Sequence, residues 1–592
     1  MKENFNAIDE IDYDPIEAYN KNFKTKHKEL SKKYINDIIE QSGIDVSTNK
    51  EESKKYRKYS EINDKLKRKG SIFKGILISI SILTIVALLI ASFLYVSLKW
   101  FGTPITLFVV FPIIFIASLS LFLTLIIKNN KIRKNNKEIL IKHYEKAKEL
   151  IAPVFPLIKH GIREKLLTEA CSIIKFDKYL RDETLFEYKI NFGFEDPYDS
   201  KNSSCVFLQS GYVLNNPFVI KKNLTMTMGT KNYYGSITIS WTEYSTDANG
   251  TRRAVLRTQT LTAHVTKSYP YYNTQNVLYY LNNAAPNLKF TREFSHIEKL
   301  SEKEYKKHIN KMNKVFTKMD QEAIKEGRTF KSMSGNLEFE SIFNAKDRNN
   351  ELEYRLLFTP LAQKSMKKVL LDKNNYGDDF SFIKFNKINA LISEHLNEFP
   401  LATNEKLFYE TYDVDILIDN FLKYQENYFK NIYHSFAPIF AIPLYLNTPY
   451  ERNIYEEDKQ MFMSEYDLEY YINLINPKLI AHENSKTQNI NKIIGRYKNI
   501  ESGYDEIDVI SSGFDSFERV DYISVRGGDG KLHSVPVTWY EYVPVSAKSR
   551  LHVKALNKYE CENDETNQNY ENDSSIINMN KNSTIINFIR KM

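Results

Sequence analysis

The chain is expected to be an α+β protein: an N-terminal helical arm, a two-helix transmembrane hairpin, and a large mixed cytoplasmic domain containing an antiparallel β-sheet. Three observations predict this class. Two uncharged apolar runs stand next to each other at about residues 75–98 and 103–127. A stretch of strict alternation flanks Asn249-Gly250. Helical spacing and capping signals recur through much of the remainder.

Length and composition set the frame. The 592 residues allow two to four domains at about 150 each. The 40 Tyr and 36 Phe against 3 Trp, with abundant Asn, Lys and Ile, fit an AT-rich coding sequence and carry no chemistry. The net charge of +8 gathers around the apolar runs, with no compact basic domain, so nucleic acid is an unlikely partner. Cys171, Cys205 and Cys561 are scattered without CxxC spacing, which argues against a disulfide framework or a structural zinc site. Met1 to Asn20 is acidic and polar and does not read as a cleavable signal peptide.

Residues 1–70 read as a charged helical arm, because Ala18, Phe23 and Leu30 are too far apart for a strong apolar stripe. Residues 71–128 read as the membrane hairpin. Gly75 to Leu98 lacks charge between Lys74 and Lys99. About 24 helical residues span roughly 36 Å, enough for a hydrocarbon core of about 30 Å. The second run, Phe101 to Ile127, contains Pro112, which predicts a kink that a bilayer helix tolerates. Lys99 to Gly102 leaves only a tight turn, with Trp100 at an interface. Lys65, Lys67, Arg68, Lys69 and Lys74 precede the spans, and Lys128, Lys131, Arg133, Lys134 and Lys137 follow them. The positive-inside rule therefore puts both termini in the cytoplasm of a two-span cell-membrane protein, and the sequons at Asn202, Asn223 and Asn249 carry no glycan.

Residues 129–180 read as a helical connector and residues 181–300 as β-rich. Ile237, Ile239 and Trp241 alternate with Ser236, Thr238 and Ser240; Val255, Leu261, Ala263 and Val265 share a face of the following strand. An Asn-Gly turn between such strands predicts a hairpin over 235–267, its apolar face packed against helices. Residues 301–555 read as an α+β region. Ser301 with Glu304 makes a capping box for a helix to about Glu326. Asn336–Phe343 and Glu353–Phe358 look like paired strands; Pro360–Leu371, Asn386–Leu396 and Asp415–Tyr433 look helical. Val520–Val525 and Ser534–Val545 form a late hairpin around Gly527 to Gly530, and residues 556–592 read as a disordered tail.

No short motif assigns a catalytic, cofactor-binding or metal-binding residue. Tyr376-Gly377-Asp378-Asp379 has the letters of a polymerase turn, whose paired carboxylates hold two metal ions. Polar Lys373, Asn374 and Asn375 stand where an apolar strand belongs, so a solvated loop is the expectation. A calcium loop begun at Asp372 has Tyr376 at its fifth position and Ile383 at its twelfth, both unsuitable. Gly527 to Lys531 lacks phosphate-loop spacing. His395 and His434 have no ligand partner at helical spacing. Tyr233, Tyr234, Trp241 and Tyr244, with Arg252, Arg253 and Arg257 opposite, have the composition of a base-stacking platform, although the same residues favour ordinary strands.

Four segments, 229–244, 355–366, 376–385 and 436–450, resemble stretches of a two-helix membrane-anchored protein family of AT-rich low-GC bacteria, mollicutes included. The resemblance implies the same architecture and brings no activity with it. The expected function is a membrane-tethered cytoplasmic interaction or scaffold protein, with the lipid bilayer and other proteins or further copies as partners. The alternative is a membrane-anchored enzyme, a hydrolase or nucleic-acid-processing protein, whose site no short motif reveals.

Overall fold

The computed structural model describes residues 13–98, 103–159, 161–246, 252–327, 330–332, 335–451, 462–499, 504–555, 576–579 and 584–591. The expected turn at 99–102, the Asn249-Gly250 dipeptide, Cys561 and most of the tail lie outside these residues. The chain divides into a helical unit, residues 28–159 with 404–426, and a sheet unit built from the rest.

Two helices dominate the helical unit: α1, Val46–Leu98, of 53 residues, and α2, Thr103–Ile151, of 49. At about 1.5 Å per residue each is roughly 75–80 Å long, more than twice a bilayer core. Both are long and apolar enough to cross a membrane. Among the described side chains many apolar ones are bare: Leu83 is 65% exposed and Ile116 is 65% exposed. The boundaries expected at residues 70 and 129 fall inside these helices, which run unbroken through Gly70-Ser71 and Asn129-Asn130 with no proline there. Residues 46–70 of the arm and 129–151 of the connector are therefore continuations of the apolar helices, and a separate helix, Lys24–Gln41, comes earlier in the chain.

From the ends of the apolar runs onward the two helices pack antiparallel in heptad register. Phe73 meets Phe122 at 6.4 Å. Seven residues down, Asn129 donates to Leu66 O at 3.0 Å. Seven further, Asn136 donates to Tyr59 O at 2.9 Å, and seven further again His143 Nδ1 lies 2.6 Å from Glu52. Asn49 closes the series on Ala147 O at 2.8 Å. The seven-residue recurrence is that of a left-handed pair, with asparagines in seam positions that fix register at some loss of stability. Gly70 lets the helices approach here, for a Cβ would stand 2.9 Å from the Asn129 amide. The His143 hydrogen bond pulls the Glu52 carboxyl down to about 2 against its partial desolvation, with help from Lys55 and Lys146.

In the sheet unit seven strands pair in the order β1-β2-β3-β4-β7-β6-β5. They are β1 Ile174–Phe176, β2 Ser203–Val213, β3 Asn216–Thr246, β4 Arg252–Leu281, β5 Lys289–Arg292, β6 Phe380–Phe385 and β7 Ile388–Ser393. A second sheet runs β11-β12-β10-β9-β8, with β8 Ile490–Asn499, β9 Tyr504–Arg526, β10 Leu532–Ala555, β11 Ile576–Met579 and β12 Thr584–Lys591. Parts of the tail expected to be disordered are thus strands, β12 pairing with β10 from Ser549 to Ala555.

β3 and β4 form the expected hairpin, but a longer one, paired from Phe218↔Tyr280 to Thr246↔Arg252. Its inner face covers the second hairpin and not helices: Leu261 and Ala263 pack with Val535 and Val537, flanked by Ile237 and Ile239. The chains touch at Gly235, where a Cβ would stand 2.0 Å from Pro536 O.

Three further expectations are corrected. Leu337–Phe343 and Glu351–Leu357 are helices. Asn336 accepts from Phe339 N at 3.1 Å and Asn350 from Glu353 N at 3.1 Å, so each asparagine is an N-cap. Residues 386–396 are chiefly β7, because Asn386, at φ +56°, makes the tight turn that returns the chain from β6. The connector expected to be helical over 129–180 has its last helix at Ile162–Ala170, and β1 follows it. The helices at Glu302–Glu326 and Pro360–Leu370 are present, the first with both capping-box bonds. The helix expected over 415–433 continues through Pro438 as α3, Val414–Phe440.

Candidate functional site

The most chemically loaded place in the sheet unit is the loop entering β6. Asp378 and Asp379 are buried there, not solvated. Asp378 pairs with the fully buried guanidinium of Arg292, and its other oxygen accepts from Ser295 N at 3.0 Å and Ile297 N at 3.3 Å. Asp379 lies 2.6 Å from Nδ1 of His395, on the short helix after β7. Nε2 of His395 lies 3.0 Å from Oγ of Ser435 on α3. Tyr376 stacks on the imidazole at 4.0 Å. Burial raises the Tyr376 phenol to about 12. It lowers His434 to about 3, aided by His395 and Lys430.

An aspartate, an imidazole and a serine in this order match the spacing of an acyl-transfer triad. Three features argue against that chemistry. Ser435 is 3% exposed. Its hydroxyl also stands 2.7 Å from Asn431 O, so its single proton serves either that carbonyl or the imidazole. Its amide belongs to the interior of α3, where backbone N–H groups are committed to the helix and none is left to form an oxyanion hole. The described clefts, about 440 Å³ beside Lys231 and Tyr269 and about 490 Å³ beside Lys364 and Lys368, do not include the group. The arrangement ties β6, β7 and α3 together.

Asp372 turns its carboxylate to Asn374 N at 3.0 Å and to the Asn375 side chain, while Asp378 faces Arg292. The two carboxylates hold different partners. Among the described residues no group of three His, Cys, Asp or Glu side chains is placed to hold a metal ion.

The stacking platform is divided by strand periodicity. Tyr233 and Trp241 share the inner face with Arg257, which opposes Trp241 directly. Tyr234 and Tyr244 stand on the outer face, 73% and 72% exposed. Trp241 is half-buried over Gly528, where a Cβ would meet its ring at 2.8 Å. The tip of the second hairpin, Gly527 to Gly530, is held by Gly528 N donating to Gln259 at 2.7 Å.

Two buried charge groups had no sequence signal. Lys221 reaches Asp196 at 2.6 Å, and Tyr279 donates to the same carboxylate at 2.6 Å. Burial opposes ionisation of Asp196, yet these partners hold it below its ordinary range. Nearby, burial raises Asp467 to about 8 against the Leu180 amide that donates to it. Lys384, in β6, is the second group. Its ammonium meets Ala284 O at 3.1 Å and Asn386 O at 2.7 Å. Burial lowers it to about 7. The chain matches no family model, no curated protein and no solved structure.

Proposed function

We propose that the chain is a membrane-tethered interaction or scaffold protein, with α1 and α2 crossing the bilayer and both flanks in the cytoplasm. The observation that carries this reading is the bareness of the apolar halves of two membrane-length helices. A pair of soluble core helices would bury such surface; here Ile82, Leu89 and Phe93 stand open on α1, and Leu121 on α2. The lysines and arginines crowd the turns where the apolar runs give way to the polar seam, which supports the cytoplasmic assignment. About 1 kcal/mol of attraction to anionic lipid per basic residue would add to the anchor. The second hairpin offers protein partners an exposed strip at Tyr522 and Leu532 on the outer face of β9 and β10.

Affinity capture of the full chain from solubilised membranes tests the interaction reading. Recovery of defined stoichiometric partners, or of further copies, supports it; repeated recovery of the chain alone as a single copy contradicts it. The enzyme reading has its best footing in the Asp379–His395–Ser435 group. A fluorophosphonate probe decides it: labelling lost in Ser435→Ala would establish the hydrolase, and no labelling of Ser435 is expected.

A further inference from the structure

Over most of its length the β3–β4 hairpin is a two-stranded ribbon. β2 pairs with β3 only from Asn216 to Thr225. β7 pairs with β4 only from Leu278 to Leu281. β8 leaves β9 free beyond Ser512, and β12 leaves β10 free before Ser549. Four long stretches of strand edge therefore have no strand partner among the described residues. Open edges invite pairing, and proteins guard them with charges, prolines and bulges. Three of the four are guarded. The open part of β4 carries Arg252, Arg253, Arg257, Lys267 and Pro270. That of β9 carries Asp515, Glu518, Arg519, Asp521 and Arg526, and that of β10 has Pro536 and Pro544. The open part of β3, residues 227–246, has no proline, and its register with β4 runs without a bulge. Its only charges are Lys231 and Glu243.

Those two charges stand six residues either side of Ile237. We infer that β3 pairs antiparallel with β3 of a second copy of this chain, about a two-fold axis at Ile237. In that register Lys231 opposes Glu243 of the second copy, twice. On the same face Tyr233 opposes Trp241, Gly235 opposes Ile239, and Ile237 opposes itself. On the other face Asn232 opposes Thr242, Tyr234 opposes Ser240, and Ser236 opposes Thr238. Aromatic, aliphatic, hydroxyl and opposite-charge pairs are the favourable cross-strand combinations. A shift of the axis by one residue sets Lys231 against Trp241 or Ser245, and the charge pairing is lost.

The backbone agrees. Met226 N donates to Asn202 O, on the β2 side, so by the strand period of two the even-numbered amides and carbonyls face the open edge. Tyr271, lying over Gly229, reaches across the strand to donate to Thr230 O at 3.0 Å, as an outward carbonyl allows. The even-numbered residues from 232 to 242 then exchange hydrogen bonds with their counterparts, while Ile237 meets its own copy in a non-hydrogen-bonded pair. Glu243 already accepts from Arg257 at 2.9 Å through one oxygen, which leaves the other for Lys231. The result is a closed isologous contact, because the same edge serves both copies.

This names a partner for the interaction protein proposed above and rests on that reading in this respect, but the pairing is measured without a membrane, so the two fail separately. The full-length chain in mild detergent, sized by chromatography with light scattering, should contain two copies per micelle. Lys231→Glu and Glu243→Lys should each weaken pairing at least about tenfold. Mixing these two variants should restore it, because both contacts between the unlike copies are again of opposite sign. Thr238→Pro removes an outward amide without touching the β4 ladder and should give single copies with unchanged circular dichroism. A wild-type chain that is single-copy at every concentration, charge variants that stay paired, or a paired Thr238→Pro variant would each overturn the inference.

Discussion

Asp378 and Asp379 are neighbours with separate tasks, and each is tested by its own substitution. Asp378 neutralises Arg292 where neither side chain has any exposed surface. Asp378→Ala leaves a buried guanidinium unpaired and should destabilise the chain by about 3–5 kcal/mol, seen as a marked fall in thermal midpoint. Arg292→Met combined with Asp378→Leu should recover much of that loss; equal damage in the double variant would show that charge pairing is not the cause. Asp467 and Lys384 make pH predictions of opposite sign. Asp467 is raised to about 8 in the folded chain, so it binds its proton more tightly when folded. Its stabilising contribution is complete below about pH 4 and fades as pH rises to 8. Lys384 is lowered to about 7, so burying it opposes folding while the unfolded chain stays protonated. Stability from this site rises between pH 7 and about 10. Thermal midpoints in detergent, taken as wild type minus variant, should fall from pH 4 to 8 for Asp467→Asn and rise from pH 7 to 10 for Lys384→Met. A flat difference in either series contradicts the corresponding assignment.

At the scale of elements, the polar seam of α1 and α2 predicts a trade between stability and register. Asn129→Leu with Asn136→Leu should raise the thermal stability of the helix pair while loosening its alignment. Cysteines at Ile62 and Arg133 fall in the same antiparallel register, and their disulfide yield reports alignment. The yield should drop in the double leucine variant; an unchanged yield would mean that the asparagines do not set register. The elements legible in the sequence were those announced by local chemistry. Ser301 and Glu304 marked a helix start, and alternation marked β3 and β4. Leu337–Phe343 and Glu351–Leu357, expected as strands, are helices whose local announcement is the N-capping pair Asn336 and Asn350. Other features had no local announcement. Asp379 finds His395 and Ser435 respectively 16 and 56 residues later, through tertiary packing that a polar loop sequence does not foretell. The face of Ile237 was legible from period two, but what covers it, a second hairpin from beyond residue 500, was not.

For the whole molecule the decisive matter is on which side of the membrane the sheet unit lies. In the proposed topology, argued from the lysine and arginine distribution, the residues before α1's apolar half and after α2's lie in the cytoplasm. Cells expressing the chain with an epitope at its C-terminus, converted to spheroplasts and treated with protease from outside, measure this directly. The account predicts a full-length chain that is spared in intact spheroplasts and digested once they are lysed. Loss of the sheet unit from intact spheroplasts would contradict the cytoplasmic tether, and recovery of the chain in the soluble fraction would contradict the anchor itself.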